Sequence, residues 1–464
     1  MSMTKRSKRR HLYTKTEFLF NLFSLLLVIG VGVYFGYRSL YYYSKQSMIH
    51  KGNNQKLSEV IINSNKLITD GDGFHRDKQG YYFKGNVGNN YLKFANRIFR
   101  IVRINNDGSI RIVADHIVTS FMRGEDEYEK SNLYTWLEKT DDPNSGIYYN
   151  TIPNIEDFLV KTKYSEDILK DDKVSKNKTV KESYITMLGI NDYVLANGKN
   201  SYLNNGQIYH LLGKNSDNSN LYIEEDGSVN ESDSIEAYGV KTVITLKKNT
   251  ISAFGDGSAD NPYTVEQKSK TNYVDSIVRL GNDTWRVYKE ENDKLRLVKV
   301  DYLKNNNTEV KYRFSKEENT FDLEDQDGLA VYLNNNYLNS LSYKDVLVDN
   351  DYYTGELSIE TDYKYQSIYS DKVTCKVGLL NIFDYNTTHY DDYYLVNTYQ
   401  GNLQYIRYKN GLLGEAEMTE EKHIIPVISI NKNSIKKGQG TFDNPYITGW
   451  IHEAKEKSKN SFKD

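Results

Sequence analysis

The sequence predicts an α+β protein in which an N-terminal transmembrane helix precedes two tandem β-rich domains of similar plan. Three observations predict it: one uncharged apolar run near the start, many short alternating runs separated by Asn-Gly and Asp-Gly turns, and a duplicated block that closes twice on Asp-Asn-Pro-Tyr.

The first fifteen residues carry Lys5, Arg6, Lys8, Arg9, Arg10 and Lys15 and no acid. From Phe18 to Tyr37 the chain has no charge and is rich in Leu, Val, Ile and Phe. At about 1.5 Å of rise per residue, a helix over 18–37 matches the ~30 Å hydrocarbon core of a bilayer. Basic residues ahead of a first apolar segment resist translocation. Residues 1–17 are therefore expected to be a cytoplasmic tail and 18–37 a single-pass signal-anchor in the lipid bilayer of the cell membrane, with the bulk of the chain extracytoplasmic. A cleaved signal peptide begins the same way, but its apolar core usually stops at about 7–15 residues. Here the run ends in Tyr34-Phe35-Gly36-Tyr37-Arg38, without a small-x-small site. The polar stretch 38–70 reads as a stalk.

Charge and cysteine narrow the function classes. Acids and bases nearly cancel, at a formal net charge of -3. With six bases in the tail, the remainder is modestly acidic, so no nucleic-acid partner is expected. Cys375 is the sole cysteine, which rules out an intramolecular disulfide and a Cys-based metal cluster. It sits in the alternating run Val373 to Val377 and reads as a small buried residue. The 41 tyrosines are dispersed, as half-buried sheet faces would use them.

From Gly71 the alternation begins. Phe99 to Ile104, then Asp107-Gly108, then Ser109 to Val113 predict a hairpin, with Arg100, Arg103 and Arg111 on or near the solvent face. The block Gly239 to Ile251 is echoed by His423 to Ile435, and Asp260-Asn261-Pro262-Tyr263 by Asp443-Asn444-Pro445-Tyr446. Other blocks keep this order: Arg97 to Arg100 with Asp283 to Arg286, Ile110 to Val113 with Leu295 to Val298, and Asp192-Tyr193 with Asp384-Tyr385. The short helix expected at Leu133 to Leu137 recurs at Leu329 to Leu333. Two domains follow, copy 1 at 71–266 and copy 2 at 271–449. The charged end, 450–464, is expected to be disordered.

Catalytic motifs are missing. The histidines are scattered, no glycine loop for phosphate or dinucleotide occurs, and no catalytic residue or cofactor is expected. Asp256, Asp260 and Asn261 offer oxygen ligands on a flexible glycine turn that calcium uses elsewhere. Copy 2 replaces Asp256 by Gln439, which favours turn architecture over a metal site. Tyr390, Asp391, Asp392 and Tyr393 form a candidate ligand-binding surface, since rings stack on sugar faces while carboxylates accept from hydroxyls.

The Trp285-Arg286-Val287 hairpin, the run Tyr332 to Tyr337, the strand leading to Asp384-Tyr385 and the Pro426-Val427-Ile428 strand resemble poorly characterised extracytoplasmic domains of low-GC Gram-positive surface proteins. These look distantly like C-type-lectin-like or formylglycine-generating-enzyme-like domains. Two departures stand out: Tyr393-Tyr394-Leu395-Val396 replaces the family's Trp-Trp-Leu-Arg type segment, and paired cysteines are absent. Anchoring and duplication both suit multivalent engagement and predict a non-enzymatic, membrane-anchored binding or scaffold protein of the cell envelope, engaging an envelope polysaccharide or a protein. The alternatives are an accessory subunit of a membrane complex and a wall-modifying enzyme. A cleft in one copy holding two carboxylates with opposed pKa shifts would mark the enzyme.

Overall fold

The computed structural model describes residues 55–449, except 142–144, 153, 172, 178, 233–235, 267–272, 317–318, 357–370, 387, 389, 400 and 407–411, together with scattered positions between Leu22 and Gly36. It is a β-rich α+β structure with several sheets. Gln55–Asp464 form one compact unit, and Met1–Asn54 another.

The expected membrane anchor requires correction. Most of 18–37 lies outside the described residues, and the described positions between Leu22 and Gly36 are helical. Among the described residues no helix is long and apolar enough to cross a membrane. A span needs about 20 continuous apolar residues, and no described helix supplies them. The transmembrane fold element, the lipid partner, the cell-membrane location with a cytoplasmic N-terminus and the membrane-anchored envelope function are therefore not carried forward. The expectations for 1–17 and 450–464 lie outside the described residues.

Part of the expected stalk is core. Helix α1 (Leu57–Ser64) buries Leu57 and Ile61 completely, and the Leu57 amide donates to the Thr250 carbonyl at 2.8 Å. Each such side chain contributes about 1.5–3 kcal/mol by leaving water. Its apolar positions, four apart, fall on one helix face.

The duplication governs the sheets. In copy 1 the shared strands are β1 (Tyr91–Phe94), β2 (Arg97–Asn105), β3 (Ile110–Ala114), β4 (Ser120–Met122), β5 (Ile185–Met187), β6 (Tyr209–Asn215), β7 (Asn220–Ile223), β8 (Val229–Ser232), β9 (Ala237–Gly239), β10 (Thr242–Leu246) and β11 (Tyr263–Thr264). In copy 2 they are β12 (Ile277–Leu280), β13 (Asp283–Glu291), β14 (Lys294–Lys299), β15 (Lys311–Arg313), β16 (Val377–Gly378), β17 (Tyr393–Tyr399), β18 (Asn402–Ile406), β19 (Leu413–Ala416), β20 (Glu421–His423), β21 (Val427–Asn431) and β22 (Tyr446–Thr448). The first sheet runs β11-β1-β2-β3-β10-β5, and its counterpart β22-β12-β13-β14-β21-β16. The second runs β8-β7-β6-β9-β4, and its counterpart β19-β18-β17-β20-β15. Even the parallel pairings recur, β11 with β1 as β22 with β12, and β6 with β9 as β17 with β20.

Register makes the match residue by residue. Arg103 pairs with Arg111, and Arg111 with Thr245; Lys289 pairs with Arg296, and Arg296 with Ser429. Both long strands carry a bulge just before this row, at Val102 and at Tyr288. A bulge re-aims side chains beside it. The arginines expected at the solvent face are instead largely covered, Arg100 and Arg103 at 5% and 7% exposure. The reason is a partner for each: Arg100 reaches the Asn90 side chain and Val87 carbonyl at 2.8 and 2.6 Å, and Arg103 grips both Asp77 oxygens at 2.8 Å.

The two copies share one hydrophobic cluster, and polar contacts stitch them together. Arg97 of copy 1 donates to Asp275 of copy 2 at 2.5 Å, where Tyr385 also donates at 2.9 Å. The indole of Trp136, in α2 (Asn132–Leu137), donates to the Phe383 carbonyl at 2.9 Å.

Candidate functional site

Each copy has a large cleft at the same place in the repeat, about 1010 Å³ in copy 1 and about 700 Å³ in copy 2. Counting from Ile185 and Val377, which face Ile244 and Ile428, six equivalent pairs line both: Arg103 and Lys289, Asn105 and Glu291, Arg111 and Arg296, Gly189 and Asn381, Asn191 and Phe383, Asp192 and Asp384. The second cleft gains a further wall from copy 1, including Ile147 and Thr151.

The charges are wired differently. In copy 1, Asp192 sits in the first turn of α3 (Ile190–Leu195) and accepts from the Arg111 guanidinium at 2.6 Å. In copy 2 the Arg296 guanidinium turns to Glu291 at 3.0 Å and to the Asp351 carbonyl at 3.0 Å. Lys289 reaches the other Glu291 oxygen at 2.6 Å. Asp384 is left in a tight turn, accepting the Asn381 amide at 2.9 Å, and makes no ion pair among the described residues. At position 105 copy 1 has an amide, bonded to Ser109 at 2.9 Å, and so no rival for its arginine.

Protonation follows the wiring. Burial pushes the Asp384 carboxyl above its ordinary value, outweighing the attraction of Arg296 and Lys289. For Glu291 burial works the same way, but Lys289 and Arg296 outweigh it and hold the carboxyl below its ordinary value. One cleft thus contains two carboxylates shifted in opposite directions, which is how environments separate an acid from its conjugate partner. Tyr288, fully buried at the bulge, lies beside this cleft with its hydroxyl next to the Arg296 guanidinium.

The residues singled out from sequence lie elsewhere. Asp256 accepts from the Ser258 amide and hydroxyl at 3.1 and 2.7 Å, and the Asn261 carbonyl takes the Asp256 and Gly257 amides. Asp260 lies in the same turn, and no group of three His, Cys, Asp or Glu residues fit for a metal occurs among the described residues. Gly255 and Gly257 have φ of 108° and 84°, as do Gly438 and Gly440 at 109° and 73°, so both copies build one left-handed turn. Tyr393 is buried, its hydroxyl bonded to Asn386 and Thr388. Asp391 accepts from the Tyr302 hydroxyl at 2.8 Å, Asp392 pairs with Lys311 at 3.0 Å, and Tyr390 packs on Tyr302. The polar groups of this stretch bond within the fold, and none of the four lines either cleft. Burial pushes the Cys375 thiol up to about 12, where it is inert as a nucleophile.

Sequence reasoning missed the Glu291, Arg296 and Asp384 constellation, although it aligned Arg296 with Arg111 and Asp384 with Asp192. The available signal was a charge kept in both copies at positions that alternation turns inward. No family model, curated protein or solved structure matches this chain.

Proposed function

We propose that the copy 2 cleft is the active site of an acid–base enzyme acting on a small, neutral, hydroxyl-rich molecule. The observation that carries this reading is the pair Asp384 and Glu291 within one cleft, one carboxyl pushed above its ordinary value by burial and the other held below it by Lys289 and Arg296. Asp384 is the proton donor. The lining favours a neutral ligand: Lys289 and Arg296 face Glu290 and Glu291, so neither sign prevails among these four. A volume of about 700 Å³ suits a small molecule.

The test is turnover of a panel of 4-nitrophenyl glycosides and esters by the full chain. Asp384→Asn should lower kcat/KM about 100-fold or more, the usual scale for losing a general acid, and abolish the alkaline limb of the pH profile. A folded protein that neither binds nor turns over any member of the panel sinks the proposal.

A further inference from the structure

We infer that Glu291 is a positioning residue that keeps Asp384 free by taking the Arg296 guanidinium away from it. The inference rests on the acid role proposed for Asp384, but its geometry is independent. The protein contains its own control, because copy 1 has the same arginine and the same aspartate with Asn105 in place of Glu291. There the guanidinium closes on the aspartate at 2.6 Å. Where the glutamate is present, the guanidinium lies 3.0 Å from it instead. A guanidinium presents a fixed fork and favours whichever carboxylate offers the better approach. Lys289, in place of Arg103, adds a second hold on Glu291 at 2.6 Å and fixes that carboxylate beside Arg296. Tyr288 and Tyr352 are the other titratable groups facing Asp384, both kept neutral by burial.

The test is a carbon-13 carboxyl titration of the full chain labelled at aspartate, with Asp384 assigned through Asp384→Asn. In Glu291→Gln the Asp384 midpoint should fall by one pH unit or more as Arg296 swings across, and Glu291→Asp should restore most of the original value. An unchanged midpoint in Glu291→Gln overturns the inference. Should that variant fail to fold, Asn105→Glu carries the converse test: Asp192 should rise by a similar amount, and no rise overturns the inference. Because the readout is titration and not turnover, Glu291 can pass while the enzyme reading fails, and the reverse.

Discussion

The two clefts are one design carried out twice, with opposite results. In copy 1 the partly buried arginine and aspartate neutralise each other, and the site is a locked piece of structure. In copy 2 one extra carboxylate on the neighbouring strand holds the arginine, and the aspartate has no ion pair among the described residues, its carboxyl pushed above the ordinary value by burial. The difference teaches that an inward charge is not itself a functional signal. What matters is whether its partner is already occupied.

The comparison breaks most visibly at the two aspartates. Asp192→Asn removes one member of a mostly buried ion pair and leaves Arg111 without its carboxylate, which should cost about 1–3 kcal/mol. Asp384→Asn removes a carboxyl that has no ion pair among the described residues and whose charged form burial disfavours, and should change stability by less than about 1 kcal/mol. Urea unfolding measures both. Equal losses would contradict the different wiring.

A second contrast concerns Lys241, whose equivalent in copy 2 is Ile425. Lys241 is buried at 2% exposure, donates to Asn205 at 2.8 Å and lies over the Tyr209 ring. Burial pulls its pKa down to about 7. The unfolded chain keeps this proton up to ~10.4, so between pH 7 and 10 the unfolded state binds more protons than the folded one. Stability due to this group therefore rises with pH across that window, by at most about 1.4 kcal/mol per unit. Lys241→Ile should remove that slope between pH 7.5 and 9.5. The wild-type minus variant difference cancels the tyrosines, which titrate higher.

Strand identity was legible in the sequence because alternation and Asp-Gly turns state it locally, and the repeated blocks fall on the repeated strands. The short helices at Leu133 and Leu329 were legible for the same reason. The contact between copies was not, since Arg97, Asp275 and Tyr385 come from three distant segments. Nor was the burial of Arg103, whose partner Asp77 belongs to a hairpin that, among the described residues, copy 1 alone adds to its long strand. The apolar run at 18–37 followed composition alone, and no described helix supports a membrane span. The Tyr390 to Tyr393 cluster attracted attention as a surface because aromatic and acidic residues look alike in sequence whether they face solvent or one another. The cleft of copy 2 depends on two exchanges, Asn105 against Glu291 and Arg103 against Lys289, inside strands that pair alike. Only register turns those exchanges into chemistry.

The same register predicts a smaller, matched effect in both halves. Thr245 and Ser429 occupy equivalent positions beside Arg111 and Arg296, both fully buried, and neither hydroxyl has a hydrogen-bond partner. An unpaired buried hydroxyl has lost its water without compensation, a cost of about 1–3 kcal/mol. Thr245→Val keeps the side-chain shape and removes that cost, and Ser429→Ala does so with a small loss of packing. Each should raise the urea midpoint, with m unchanged, by the equivalent of about 0.5–1 kcal/mol. Thr245 lines the copy 1 cleft while Ser429 does not line the copy 2 cleft. A loss at either position would contradict the cost assigned to its unpaired hydroxyl. Equal gains at both would place the two hydroxyls on the structural side of the comparison, along with the closed pair of copy 1.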